Sequence, residues 1–375
     1  MQGLFYHCSN LDNIDLKNFN TRKVTDFSYL FAYCEKIETI DLSMFETNNA
    51  IKMNGMFMNC YNMKSINISH FKTENVKDMQ GMFQMCNSLI SLDISNFKTD
   101  NVVDMYSMFA ECNSLEELKF NFNTDLVTNM GNMFQDCYLL KSLNLNSFNT
   151  SLVDTMSYIF ENCFSLESLD LSSFTTDNVW EMENMFTNCS SLKFLDISNF
   201  NTINFYSLSD MFRDCRSLTS LDLSSFRTDN VYMMSNMFQN CESLKELNLK
   251  NFYTPNLSSF SNMFYNCKSL EKLDISNFVT TKITSMSNLF YNCKSLISLD
   301  LKNFDTGKLM NMDRMFYSCS SLKYIDLSSF NTNKCSSFEN TFYECKELTI
   351  LVNFNNCENM IMKLPEYVKY ENSTK

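Results

Sequence analysis

The chain has 375 residues and a formal net charge of −13. So acidic a balance excludes a nucleic-acid surface, which needs a basic stripe to displace counterions, and argues against an anionic membrane face. Phe (35), Met (27) and Cys (16) are abundant, whereas Gly (5), Pro (2), His (2) and Trp (1) are scarce, so the turns must rely on Asn, Ser and Asp.

The start, MQGLFYHCSN, has neither a basic segment nor an apolar run, so no signal peptide is expected there. No apolar run anywhere is long enough to span a bilayer. Met1 falls in the middle of a repeat, which leads us to expect a longer protein upstream and a missing N-terminal cap.

Cysteines set the register. Cys8, Cys34, Cys60, Cys86, Cys112, Cys137, Cys163, Cys189, Cys215, Cys241, Cys267, Cys293, Cys319 and Cys345 recur every 26 residues, with one interval of 25 between Cys112 and Cys137. In the repeat CFSLESLDLSSFTTDNVWEMENMFTNC, the alternation of Leu169-Asp170-Leu171 predicts a strand with one buried face. After Phe174 the apolar spacing lengthens to steps of three and four through Val179, Met182, Met185, Phe186 and Cys189, which predicts one face of a short helix. Thr176 before Asp177-Asn178 reads as its N-cap, and Pro255 after Thr254 fits the first helical position.

The expected fold is therefore an α/β, leucine-rich-repeat-like solenoid. About fourteen strand-turn-helix units (residues 1–351) would share one parallel sheet, because a single unit cannot bury its own apolar face. With strands about 4.8 Å apart, the stack would be on the order of 65 Å long. The fifth repeat, around Lys119-Phe120-Asn121-Phe122, has lost one residue. Residues 352–375, from Val352 to the polar ENSTK end, read as a C-terminal cap and a frayed tail.

The run Phe186-x-x-Cys189-x-x-Leu192-x-x-Leu195-Asp196-Ile197 resembles the BspA-like leucine-rich repeat surface proteins, in the subgroup with the consensus MFxxCxSLxxLDLSxFxTxxVxxM. The resemblance covers Met1 to about Leu351. It implies a solenoid exported to the cell surface and used for adhesion to host or partner proteins. No export signal, anchor or N-terminal cap is expected within residues 1–375, which is where the sequence departs from that family.

Most of the chemistry-bearing residues have plain structural readings. One thiol per turn gives no converging zinc ligands, and column members point the same way rather than at one another, so buried reduced Cys is expected. Cys335 and Cys357 lie outside the column, and a disulfide involving one of them stays open. The Met column (Met53, Met79, Met105, Met130, Met156, Met182, Met234, Met286, Met312) reads as core filler. The Phe column (Phe97, Phe122, Phe148, Phe174, Phe200, Phe226) reads as an internal spine. His7 and His70 stand alone and the five glycines form no phosphate loop, so no catalytic residue, metal or cofactor is expected. Sequons at Asn67, Asn149, Asn188, Asn256 and Asn372 are expected by chance in so Asn-rich a chain.

One column must face outward. Asp170 sits between inward Leu169 and Leu171, and Asp15, Asp41, Asp93, Asp196, Asp222, Asp274, Asp300 and Asp326 are its equivalents, with Asn67, Lys119, Asn144 and Asn248 interrupting them. Carboxylates about 4.8 Å apart repel by about 1 kcal/mol per pair even in water, so something should offset them. The candidates are Lys64, Lys141, Lys193, Lys245 and Lys323, hydrogen bonds from flanking Ser residues, or a basic partner or divalent cations bound along the stripe. Phe194 and Tyr324 are exposed aromatics on the same face that could anchor a partner.

The expected function is non-enzymatic protein binding or adhesion at the cell surface, with partners docked on a concave acidic face through Asp170, Asp196, Asp222, Asp274, Asp300, Asp326, Phe194 and Tyr324. The surface follows from repeat geometry, and location and adhesion follow from the resemblance. The partners expected are proteins, basic ones among them; nucleic acid is not expected, and the chain should be a monomer. The alternative is an intracellular scaffold, which the missing signal and many free thiols would suit.

Overall fold

The Leu-x-Leu alternation folds into short strands whose central Leu points inward. In the computed structural model, which describes residues 1–373, these strands are β1 (Ser91–Asp93), β2 (Glu117–Lys119), β3 (Ser168–Asp170), β4 (Phe194–Asp196), β5 (Ser220–Asp222), β6 (Glu246–Asn248), β7 (Lys272–Leu273), β8 (Ser298–Leu299), β9 (Tyr324–Leu327) and β10 (Thr349–Val352). Leu92, Leu169 and Leu221 are buried while the residues on either side are exposed. The chain forms two units, Met1–Glu181 with Asn188–Leu192, and Met182–Thr187 with the chain from Lys193 onward.

Strands pair in parallel with the offset of one repeat. In the first unit Leu92 lies opposite Leu118. In the second, β5 pairs with β6 and β7 with β8, while β10 pairs with β9. The sheet differs from expectation in two ways. About ten turns carry a regular strand, not fourteen, and hydrogen bonding is broken into short sheets rather than one continuous one. The reason is local. In β1, β3, β4, β5 and β6 the strand ends on an Asp or Asn that turns the chain at once, and every strand of the stack keeps only two to four residues to pair. Elsewhere a rung shrinks to a single bond, such as Lys64 N–H to Glu38 O at 2.8 Å.

The predicted helices do not form. Between Met53 and Cys60, alternate residues donate to the next turn: Met53, Gly55, Phe57 and Asn59 to the carbonyls of Asp78, Gln80, Met82 and Gln84, at 2.8–3.1 Å. The intervening Met56, Met58 and Cys60 donate three residues back, to Met53, Gly55 and Phe57. The segment is thus a succession of tight turns, each tied sideways to its neighbour. Two residues four apart adopt left-handed φ in each, Gly55 and Asn59 at +59° here, Asn236 and Asn240 at +60° and +61° in the second unit. A right-handed helix cannot include them, and Asn and Gly are the residues that enter this region at least cost. Apolar steps of three and four serve such turns as well as they serve a helix.

The supposed helix caps accordingly have another role. Thr47, Thr254 and their equivalents are buried. Thr254 accepts from Val279 N–H at 2.8 Å and donates to Val279 O at 3.3 Å. Pro255 follows the buried Thr254 in a turn, not at a helix start.

Inside each unit, Met, Leu, Phe and Cys columns form the core. Each buried thiol of the 26-residue column donates to the carbonyl of a Phe in the preceding turn, for example Cys60 to Phe31 O at 3.2 Å and Cys241 to Phe212 O at 3.1 Å, whereas Cys335, outside the column, donates to Ser337 O at 3.4 Å. All sixteen cysteines are free, Cys335 and Cys357 included, and Cys8 alone is exposed. Burial pushes the thiols of Cys112 and Cys293 up to about 12. The expected Phe spine exists, with Phe148 and Phe174 6.1 Å apart. A second, more regular Phe stack hides in the turn segment, from Phe57 to Phe160 in the first unit and Phe186 to Phe342 in the second, at 5.5–5.8 Å per step.

Among the described residues the one α-helix is α1 (Phe354–Ile361), capped by Asn353, whose side chain accepts from Asn355 N–H. After it comes β11 (Lys369–Asn372), which adds to β10 in parallel. The expected frayed tail therefore begins inside a strand. Thr374 and Lys375, the end of that tail, lie outside the described residues.

Candidate partner-binding face

The outward residues of successive strands build the face that the alternation predicts. Each Asp at a strand end accepts the backbone N–H two residues on. Ser172 donates to Asp170 at 3.0 Å, Ser198 to Asp196 at 3.0 Å and Ser224 to Asp222 at 2.9 Å. Ser276 donates to Asp274, Lys302 to Asp300 and Ser328 to Asp326, all at 3.0 Å. This Asx turn is what the position requires, and it explains why Asn serves equally: Asn248 holds Lys250 N–H at 3.2 Å.

In every one of these contacts Oδ1 is the acceptor, so the carboxylate is oriented by its own backbone. Hydrogen bonds from Ser172 and Ser276 hold Asp170 and Asp274 below the ordinary carboxylate range. The flanking residues thus supply part of the offset that the row needs. Of the lysines considered from the sequence, Lys64, Lys141 and Lys323 pair with Glu38, Glu116 and Glu347 at 2.7–3.3 Å and not with the Asp row.

In the second unit the strands from β5 to β9 floor an open groove of about 1140 Å³. It brings together Asp222, Asp274, Asp300, Asp326 and Tyr324, five of the eight residues singled out from the sequence. Tyr324 is 49% exposed on β9. Asp196 and Phe194, on β4, do not line the groove, although Phe194 is 55% exposed. Asp170 stands exposed at the end of β3 in the other unit.

The groove also holds Asn248 and Lys245, both read from the sequence beside the Asp row, together with Lys302, Glu246, Glu271 and Lys272, which were not. Asn248 donates to Asp222 Oδ1 at 2.8 Å, and Lys302 Nζ lies 3.9 Å from Asp326 Oδ2. Lys245, Glu246, Glu271 and Lys272 complete a mixed rim. Of the three-carboxylate runs, Asp274, Asp300 and Asp326 make the one that lies wholly inside the groove. Among the described residues no helix is long and apolar enough to cross a membrane.

The comparisons with known proteins agree with this architecture. The structure is similar to a leucine-rich repeat protein from Bacteroides ovatus ATCC 8483, with a TM-score of 0.51 and 17% identity over 99% of this chain and 86% of that one. Weaker likenesses are a leucine rich cell surface protein from Faecalibacterium prausnitzii A2-165 (TM-score 0.34, 17% identity, 91% and 78% of the two chains) and a leucine-rich repeat protein from Eubacterium ventriosum ATCC 27560 (TM-score 0.36, 13% identity, 91% and 77%). No curated protein sequence matches. The leucine-rich-repeat type of solenoid is thus established, and the resemblance to BspA-like surface proteins drawn from the repeat stands. A single family model matches in overlapping tandem over residues 1–118, 83–194, 119–216, 167–273 and 258–364. The chain therefore belongs to the family described as Mycoplasma protein of unknown function, DUF285.

Proposed function

We propose that this chain is a non-enzymatic binding solenoid of the cell surface, which docks protein partners on the acidic face of its strands. The observation that carries the reading is the groove over β5–β9. It is open, it spans five successive turns, and its floor carries four carboxylates and Asn248, each held by an Asx turn. Rigid like charges at ladder spacing favour a partner with complementary basic groups, and they steer its approach in a salt-sensitive way. Tyr324, at one end of the row, supplies an aromatic anchor of the kind that dominates interface energies. A repeat built from the same groups in every turn offers no single asymmetric convergence for catalysis.

The free thiols suit an exported protein as well as an intracellular one. Fifteen of the sixteen are buried, so an oxidising exterior cannot readily reach them.

The test is a pull-down with the intact chain against extracellular-matrix and cell-surface proteins, followed by direct titration of the captured partner. Asp274→Asn, Asp300→Asn and Asp326→Asn together keep the turns, as Asn248 does, and remove three charges. We expect weaker binding and a shallower salt dependence. Unchanged affinity and salt slope would remove the acidic face from the function.

A further inference from the structure

The second unit carries a charged row that the binding face does not use. Lys282, Lys308 and Lys334 occupy the same place in three successive repeats, and all three are exposed. These are the repeats of Asp274, Asp300 and Asp326. Each lysine follows its aspartate by eight residues, beyond a buried Phe and a buried Thr.

Asparagine is the structural choice at this place. Asn49, Asn230 and Asn256 each donate a side-chain N–H to a carbonyl of the preceding turn, at 2.7–2.9 Å. Lysine gives that bond up. Lys282 Nζ donates to Asn256 Oδ1 at 2.8 Å instead, and Lys308 and Lys334 have no side-chain hydrogen bond or ion pair among the described residues. The residues next to the row are uncharged: Thr281, Gly307 and Asn333 before it, Ile283, Leu309 and Cys335 after it.

The groove holds the opposite charge on the same period. Asp274 and Asp300 have no ion pair among the described residues, and the one at Asp326, to Lys302, is long at 3.9 Å. One repeat sets both rows, so both step by one turn, about 4.8 Å. The Thr280 and Thr306 hydroxyls bond across to the next turn at 2.9 and 3.2 Å, two residues before the lysines, so the turns stay close on that side too. Three cations can therefore meet three carboxylates without a growing mismatch. Residues 201–375 contain 18 acidic and 18 basic residues, so this part of two copies does not repel through net charge. Complementary charge at a shared spacing selects partner and register. We propose that the lysine row of one copy docks into the groove at β7–β9 of a second copy, so that the chain self-associates. The inference rests on the reading of the acidic face as a docking surface, and it replaces the monomer expected from the sequence with an association that salt dissolves.

Sedimentation equilibrium of the full chain, over a range of concentrations at about 50 and 500 mM salt, tests this. We expect the average mass to rise with concentration at low salt and to fall to that of one chain at high salt. Lys282→Asn, Lys308→Asn and Lys334→Asn together install the residue that most repeats use at this place, so folding is kept, and should weaken association about tenfold or more. Asp274→Asn, Asp300→Asn and Asp326→Asn together should do the same. An equimolar mixture of the two variants should associate again, because one retains the lysines and the other the carboxylates. A parent chain that stays monomeric at low salt overturns the proposal, as does a mixture that stays apart. Dextran sulfate is the second probe: if a monomeric parent chain binds it and the lysine variant does not, the row belongs to an acidic polymer and the proposal fails. Absence of self-association with capture of a basic protein partner retained would remove this inference alone and leave the acidic face its function.

Discussion

The Thr47 hydroxyl holds both polar groups of a single residue in the next turn: it accepts from Lys72 N–H at 2.7 Å and donates to Lys72 O at 3.0 Å. The same double contact recurs between Thr228 and Tyr253. The threonine column is therefore a ladder rung made by a side chain, placed where the backbone bends and cannot pair with itself. Removing the hydroxyl leaves a donor and an acceptor unmet. Thr47→Val, close in shape, should lower stability by about 2 kcal/mol, and Thr47→Ser by less, in urea denaturation. A neutral Thr47→Val would mean that water replaces the hydroxyl without cost.

The sequence showed the period and the outward row fully and the strands in part: Leu169-Asp170-Leu171 contributes to β3, whereas Leu143-Asn144-Leu145 has the same alternation and buries Leu145 without a regular strand. The Cys column can recur only if the turns stack. The helix inference failed at Met182, Met185, Phe186 and Cys189, whose spacing fits two backbones equally. What separates them is the asparagine pair: Asn184 and Asn188 have φ of +55° and +61°. Asn four apart, repeated at Asn236 and Asn240, was the available signal, and it was outweighed by apolar spacing. The groove was legible in part. Asp274 and Tyr324 follow from alternation, whereas Lys302, which stands where most repeats have Ser, enters through three-dimensional position.

The asparagines provide a decisive comparison. Asn266 sits at φ +60°, donates to Asn240 Oδ1 at 2.8 Å and accepts from Asn292 at 2.6 Å. In a helix, Gly would be about 1 kcal/mol worse than Ala. Here the order should reverse. Asn266→Gly loses the two hydrogen bonds but relaxes the backbone, whereas Asn266→Ala loses them and keeps a Cβ in a region that costs about 1–2 kcal/mol. We expect Asn266→Gly to be the more stable of the two by about 1 kcal/mol in matched urea titrations. Greater stability of the Ala variant would argue for a helical segment.

Thiol chemistry should report the stack directly. Cys8 is exposed, whereas each of the other fifteen cysteines is buried. Desolvation pushes Cys34 and Cys345 up to about 12 and Cys335 to about 11, which leaves almost no thiolate at neutral pH. With a chromogenic disulfide reagent, the native chain should release one equivalent quickly, and sixteen once unfolded in guanidinium. Cys8→Ser should remove the fast phase. Several fast equivalents in the native protein would mean that the turns open far more often than this packing allows.

The column of bridged residues that precedes each turn segment makes a prediction about pH. Asp78 and Asp104 are bridged in successive turns and half-buried, and desolvation, aided by mutual repulsion, raises Asp104 above its ordinary range. A carboxyl raised in the folded state binds its proton more tightly there than in the unfolded chain. Its contribution is therefore fully present below the unfolded value and is lost as pH rises through the folded one. The next turn shows the remedy, since Asn129 occupies the same position and accepts Gly131 N–H at 3.1 Å, as Asp104 accepts Tyr106 N–H at 2.8 Å. Asp104→Asn should keep that turn and remove the penalty. Its thermal midpoint should exceed that of the parent at pH 7, and the two should converge below the ordinary carboxylate range. A midpoint difference that persisted unchanged at low pH would place the effect in packing and not in the charge.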